Sequence, residues 1–430
     1  MRNKNSMTDK RVVSWALYDW ANSAFATTVM AGFFPLFFKQ YWSSGADVTV
    51  STFQLGIANS LASIIVAAMA PILGAIADRG GAKKRFLLFF AVMGMVMTGG
   101  LHFVAQGEWQ LAIALYVAAF IGFAGGNIFY DALILDVSPL HRLDMVSALG
   151  FSLGYLGGGI LFAINVAMSL WPEAFGFADQ AEAVRASFIS VVVWWAIFSI
   201  PVFLFVREAP PKNKALGRNA VTAGYRQLRD TFRDIRRLKV VFLFLIAYWL
   251  YIDGVDTVIR MAVDYGMSLG LATGDLITAL LITQFVGFPA ALAFGRMGER
   301  LGAKAVLLIA IGVYIGVCLA AFFMHDESDF YILAIAIGLV QGGVQSLSRS
   351  LYARIIPADK AAEFFGFYNM LGKFAAVIGP VLMGAVGMIS GDPRFGILAV
   401  IPLFVLGGIM LYFVNLEEGR RIAQNGRGSF

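Results

Sequence analysis

Long apolar runs separated by short polar turns fill this 430-residue chain almost from end to end. Runs of at least about eighteen residues, enough for a helix to cross a bilayer, recur at 12–38, 52–77, 86–105, 109–132, 145–170 and 186–206. After a polar interval they recur at 239–264, 273–295, 304–324, 330–353, 364–389 and 395–415. The pattern predicts an all-α integral membrane protein with twelve transmembrane helices in two sets of six. Residues 1–206 form the first half, 207–238 a linker, and 239–430 the second half with a short tail. The first run is too long for a signal-peptide core and has no small-residue cleavage site, so it is expected to stay as a helix. The linker opens with Arg207, Glu208, Ala209, Pro210 and Pro211. It continues into YRQLRDTFRDIRRLKV, where Leu228, Phe232 and Ile235 share one side among arginines, as in an amphipathic helix on the inner leaflet.

Between the second and third runs lies GAIADRGGAKKR, with Gly74, Asp78, Arg79, Gly81, Lys83 and Lys84 in the pattern G-x-x-x-D-R-x-G-x-[RK]-[RK]. Glycine beside charge supports a tight turn that needs positive φ. Asp78 ends its helix, where an acid opposes the helix dipole, so its better partner is another helix's N-terminus or an arginine such as Arg142. A weaker copy, Gly295, Glu299, Arg300, Gly302 and Lys304, lies 221 positions later. Further echoes at offsets of 216 to 218 pair Gly125 and Gly126 with Gly342 and Gly343, Pro139 with Pro357, and Gly150 with Gly366. The chain reads as two related halves. The repeated loop resembles the motif that joins the second and third helices of each half in the major facilitator superfamily.

Composition and charge agree with this reading. The chain is 59% hydrophobic and 14% charged, and its mean hydropathy of +0.75 is far above that of a soluble globule. One cysteine excludes a disulfide framework, and three scattered histidines give no metal spacing, so no cofactor is expected. The net charge of +6 belongs to topology rather than to nucleic acid. Of 33 Lys and Arg, 28 fall on the side that holds both termini and only Lys39, Arg185 and Arg394 on the other. The positive-inside rule then puts both termini in the cytoplasm. Arg260 and Lys373 remain inside predicted spans.

Polar groups inside spans are costly and therefore informative. Asp19, Asn22 and Ser23 share a face of the first helix. Asn127 and Asp131 are four apart in the fourth, and Gln341, Gln345 and Arg349 follow at the same step in the tenth. The seventh carries a stripe of Asp253, Asp256, Arg260 and Asp264, in which Asp256 and Arg260 are spaced to pair. Of these, Asp19, Asn22, Asn127, Asp131, Asp253, Asp256, Arg260, Gln341 and Gln345, together with Lys373, are the candidates for substrate binding and ion coupling, with Asp19 and Asp253 as candidate proton carriers. Hydrogen bonding between helices is the competing role for each. Gly150, Gly154 and Gly158 read as a close-packing face.

The segments WALYDWANSAF, NIFYDALILDVSP, YIDGVDTVI and QGGVQSLSRSLYARIIP together resemble one branch of the superfamily, the vacuolar amino-acid effluxer-like permeases. Asp131 departs from that branch, where Asn is expected, and the fifth span lacks the Gly-Pro pair of many proton antiporters. The resemblance implies a twelve-helix permease, a monomer in the bacterial plasma membrane, that moves a small polar solute by alternating access. Protons or another ion are its expected partners beside lipid. The alternative is a lipid-handling protein or membrane enzyme on the same scaffold. Against an enzyme, no nucleophile, base and oxyanion donors come together and no nucleotide loop is present.

Overall fold

The computed structural model describes residues 9–44, 48–209, 238–375 and 378–425, and these are helical with short connections and no strand. In chain order the helices are α1 Lys10–Trp42, α2 Val48–Gly80, α3 Lys83–Gly100, α4 Trp109–Val137, α5 Leu140–Leu170 and α6 Gln180–Phe205. They continue with α7 Lys239–Ser268, α8 Thr273–Met297, α9 Ala303–Phe322, α10 Glu327–Ile355, α11 Ala361–Ala375 and α12 Ile378–Ser390. The last two are α13, Pro393–Phe413, and α14, Leu416–Asn425. Among the described residues ten helical stretches are long and apolar enough to cross a membrane, and one of them, Gly274–Phe322, contains both α8 and α9.

Local chemistry explains the ends and irregularities. Asp9 caps α1 by accepting from the Arg11 amide at 3.0 Å. Within α1 the segment Phe25–Phe33 is wound as a π-helix, a loosened form common at functional sites. The turn glycines of the two loop motifs have positive φ, 56° at Gly81 and 90° at Gly302, so the turn expected from the sequence is present in both copies. The eleventh predicted span is described as two helices, α11 and α12. Where a tail was expected, α14 forms, and Gly419 brings it against Ile355 and Val240. The amphipathic stretch 225–240 lies largely outside the described residues.

Two helix pairs knit distant parts of the chain together, α2 with α11 and α5 with α8. Glycines set the closeness. A methyl on Gly74 would lie 2.6 Å from the Ala362 carbonyl carbon, and one on Gly366 would lie 2.6 Å from the Ala70 oxygen. The core is aromatic-rich: Trp15, Trp42 and Trp195 are fully buried.

Candidate functional site

A buried polar cluster joins α1, α4, α5, α10 and α11. Arg349 of α10 is 2% exposed, and its guanidinium donates to Asp131 of α4 at 3.0 Å. It also donates to the hydroxyl and carbonyl of Ser147 in α5, both at 2.9 Å. The ring of Phe151 lies 4.2 Å from the guanidinium carbon and that of Trp15 4.9 Å away. This packing suits a planar, weakly hydrated cation. The spacing put Arg349 on the tenth helix, whereas the charge count included it on the inner side; the structure places it inside the span, where a carboxylate on another helix offsets its burial.

Asp19 of α1 is the second carboxylate at this guanidinium, at 3.9 Å. Its other partners are equally distant: the Tyr130 hydroxyl donates to it at 3.3 Å, and so does the Ser23 hydroxyl. Asp131 has the tighter set, since Asn369 of α11 also donates to it at 3.1 Å. One buried cation therefore faces two carboxylates, of which Asp131 is closely paired and Asp19 loosely. Beside them Asn22 donates to Asn127 at 2.6 Å, and Tyr155 of α5 donates to Gln345 at 2.8 Å. Gln341 lines a cavity of about 70 Å³, otherwise mostly apolar, with Thr283 and Tyr265.

On α7, Asp253 is buried and Asp256 half-buried, whereas Arg260 is exposed. Asp253 Oδ1 accepts from the Gly379 amide of α12 at 3.0 Å and from the Thr257 hydroxyl at 3.4 Å. The side chains of Lys373, Arg79 and Asp264 lie outside the described residues.

The loop motif forms a second cluster at one end of the bundle. Asp78 accepts from the Glu363 amide in the first turn of α11 at 2.9 Å, the helix N-terminus that its charge calls for. Arg142 is not its partner. The ion pair goes instead to Lys83 at 3.7 Å, and Lys83 also reaches Asp136 of α4 at 3.1 Å. Asp136 in turn accepts from the Ala209 amide, and Glu208 accepts from the amides of both Lys83 and Lys84. Burial pushes the Glu208 carboxyl above the ordinary glutamate range, against the pull of these amides and of Lys83. The first residues of the linker are thus docked onto the loop.

Lys84 donates to the carbonyls of Phe203 and Val206 at the C-terminus of α6. Lys304, its counterpart, donates to the carbonyls of Tyr412 and Val414 at the end of α13. The two copies part company at the acid. Glu299 and Arg300 are exposed, and at that place Asp144 of α5 is held by Arg354 at 2.6 Å and by the Ser350 hydroxyl.

Sequence reasoning missed Asp136, Asp144, Arg354, Glu208, Tyr130, Tyr155, Ser147 and Asn369. Arg349 was read on the tenth helix, four residues after Gln345, but its partners on the other helices were not.

With this geometry in hand, residues 43–136 and 135–424 match the family model described as vacuole effluxer Atg22 like. YxiO of Bacillus subtilis (strain 168), an MFS-type transporter, is 40% identical over 417 residues, covering 96% of this chain and 97% of that protein. Autophagy-related protein 22 of Yarrowia lipolytica is 24% identical, over 88% of this chain and 77% of its own. Among solved structures, the human organic anion transporter MFSD10 superposes with a TM-score of 0.74 at 15% identity, covering 94% of this chain and 100% of that one. The proton:xylose symporter XylE superposes with a TM-score of 0.72 at 14% identity, covering 96% and 97%. These two likenesses bear on the fold. The relatives are transporters and not enzymes.

Proposed function

The chain belongs to the Atg22-like vacuole effluxer family of the major facilitator superfamily, a multi-pass membrane transporter, and we propose that it exports a small polar solute in exchange for protons. Amino acids are the solutes that this membership suggests. Twelve spans follow if α8 and α9 count separately and α11 with α12 makes one. The halves are then residues 1–206 and 239–430, joined by 207–238, with both termini cytoplasmic. Alternating access consists of one half rocking against the other around a site near the midplane.

The observation that carries this reading is the sharing of Arg349 by Asp131 and Asp19. A buried group of two carboxylates and one guanidinium bears a net negative charge unless one proton is bound, and an uncompensated buried charge is expensive. The proton belongs on Asp19, the carboxylate with the longer contacts. When Asp19 ionises it competes with Asp131 for the guanidinium, and that competition loosens the tie between α4 and α10. The contacts of Asp78 with α11 and of Asp144 with Arg354 close the loop end, which fits an outward-facing state.

The test is transport in proteoliposomes, with a panel of amino acids, sugars and lipids and an imposed pH gradient. Wild type should accumulate its solute against the solute gradient. Asp19→Asn should retain solute exchange, which needs no net proton movement, and lose accumulation. Gradient-driven flux equal to wild type in Asp19→Asn would falsify the coupling assigned to this residue.

A further inference from the structure

Lys83, Lys84 and Arg85 open α3 as three consecutive cations, and only two of them are taken up by the protein. Lys83 reaches Asp136 at 3.1 Å and Asp78 at 3.7 Å. Lys84 donates to the carbonyls of Phe203 at 2.8 Å and Val206 at 2.7 Å. Arg85 is exposed, and its side chain has no ion pair or hydrogen bond among the described residues.

Arg85 also heads a strip along one face of the helix. Leu88, Phe89, Val92, Met93, Val96 and Met97 follow it at steps of three and one, the spacing of a single helical face. Together with Arg85 they line an open hollow of about 460 Å³. Leu88, Phe89, Val92 and Val96 are exposed, so the hollow faces lipid rather than another helix. From Arg85 to Met97 the helix rises about 18 Å, close to the ~15 Å of hydrocarbon in one leaflet.

We propose that this strip binds one anionic phospholipid, with its phosphate on the Arg85 guanidinium and an acyl chain in the hollow. The site depends on the chain spanning a membrane and not on the coupling assigned to Asp19. A cation at the head of an apolar hollow matches a molecule with a negative head and an apolar tail. The guanidinium suits phosphate in particular, since its fork offers two parallel hydrogen bonds. Free phosphate shares that head chemistry, and the hollow is what favours the lipid over it. The linker is the segment of this chain that could cover the same face, and its charge argues against it. The stretch 225–240 holds six Lys and Arg against two Asp, so it would bring like charge to Arg85. A bound phosphate has the opposite effect, relieving the repulsion between Arg85 and the two lysines that hold the loop end.

The experiment titrates the purified full-length protein in detergent micelles and reads thermal stabilisation, so it needs no flux and stands apart from the transport assay. The probes are dioleoyl phosphatidylglycerol, dioleoyl phosphatidylcholine and inorganic phosphate. Wild type should prefer phosphatidylglycerol over phosphatidylcholine by about fivefold, the worth of one Lys or Arg at an anionic lipid surface, and phosphate alone should not stabilise it. Arg85→Gln should lose the preference and Arg85→Lys should keep part of it. Arg421→Gln, which removes an exposed cation elsewhere, should keep all of it. Val92→Trp, which fills the hollow, should weaken phosphatidylglycerol binding, and this keeps the test decisive if Arg85→Gln does not fold. Equal binding of the two lipids by wild type, or an undiminished preference in Arg85→Gln, overturns the proposal. So does stabilisation by phosphate alone that equals the lipid's, which would leave a simple anion site. A disulfide formed between Val92→Cys and Phe232→Cys in a Cys318→Ala background would also overturn it, by seating the linker in the hollow.

Discussion

Asp131 and Arg349 are separated by 218 positions and joined by a hydrogen bond of 3.0 Å. The bond ties α4 to α10 through groups of opposite charge, both buried, so neither has water to replace a lost partner.

Removing one partner should therefore cost more than removing both. Asp131→Asn leaves a buried guanidinium with only the distant Asp19 carboxylate, and the loss expected for a broken buried pair is about 3–5 kcal/mol. Exchanging the charges, Asp131→Arg with Arg349→Asp, should recover a large part of that loss because the buried pair is restored with its ends exchanged. Thermal unfolding of the purified variants decides it. A swap no more stable than Asp131→Asn would mean that the surrounding groups, Ser147 and Asn369, prescribe the polarity.

Closure at the loop end depends on the small size of Gly74. Its missing side chain lets α2 approach the Ala362 carbonyl, and both sides of that contact are main chain, which yields poorly. Gly74→Ala should hold this end open, at an overpacking cost of about 1–3 kcal/mol. The reporter is thiol labelling of Ser346→Cys in a Cys318→Ala background, since Ser346 is fully buried and its carbonyl accepts from Ser147. Labelling should be faster in Gly74→Ala than in the parent, and Asp78→Asn should act in the same direction. Identical rates in all three would show that the motif does not govern closure.

Glu208 supplies a pH dependence outside the membrane. Its folded-state pKa is raised above 4.5 by burial, so the docked carboxyl binds a proton more readily than the free chain. The contribution is fully present below 4.5 and is lost as pH rises through the raised value. Glu208→Gln, which is permanently neutral, should flatten that part of the melting temperature profile. A profile unchanged from wild type would place the sensitivity elsewhere.

The helices and the loop motif were legible because lipid imposes long apolar runs and a turn imposes glycine at positive φ, as at Gly81 and Gly302. The partner of Asp78 was legible for a similar reason, because an acid at the wrong end of its own helix needs the right end of another. The Asp131–Arg349 pair was not. Helical spacing tells which face a residue occupies and says nothing of which distant helix faces it, so Arg349 could be put on the tenth helix but not opposite Asp131. Glu208 was hidden differently, by an opening of the linker that has the composition of a solvated segment.

Lys84 and Lys304 carry a consequence for biosynthesis. In the topology proposed above, each is, before the chain is complete, a positive charge that helps to retain its loop on the side where synthesis takes place. The carbonyls that later receive them belong to α6 and α13, the last span made in each half. Each lysine thus has two successive tasks, orienting a hairpin during insertion and then capping the closing helix when it arrives. Neither contact can form until α6 or α13 has left the ribosome, so the two proposed halves would close separately and in order of synthesis.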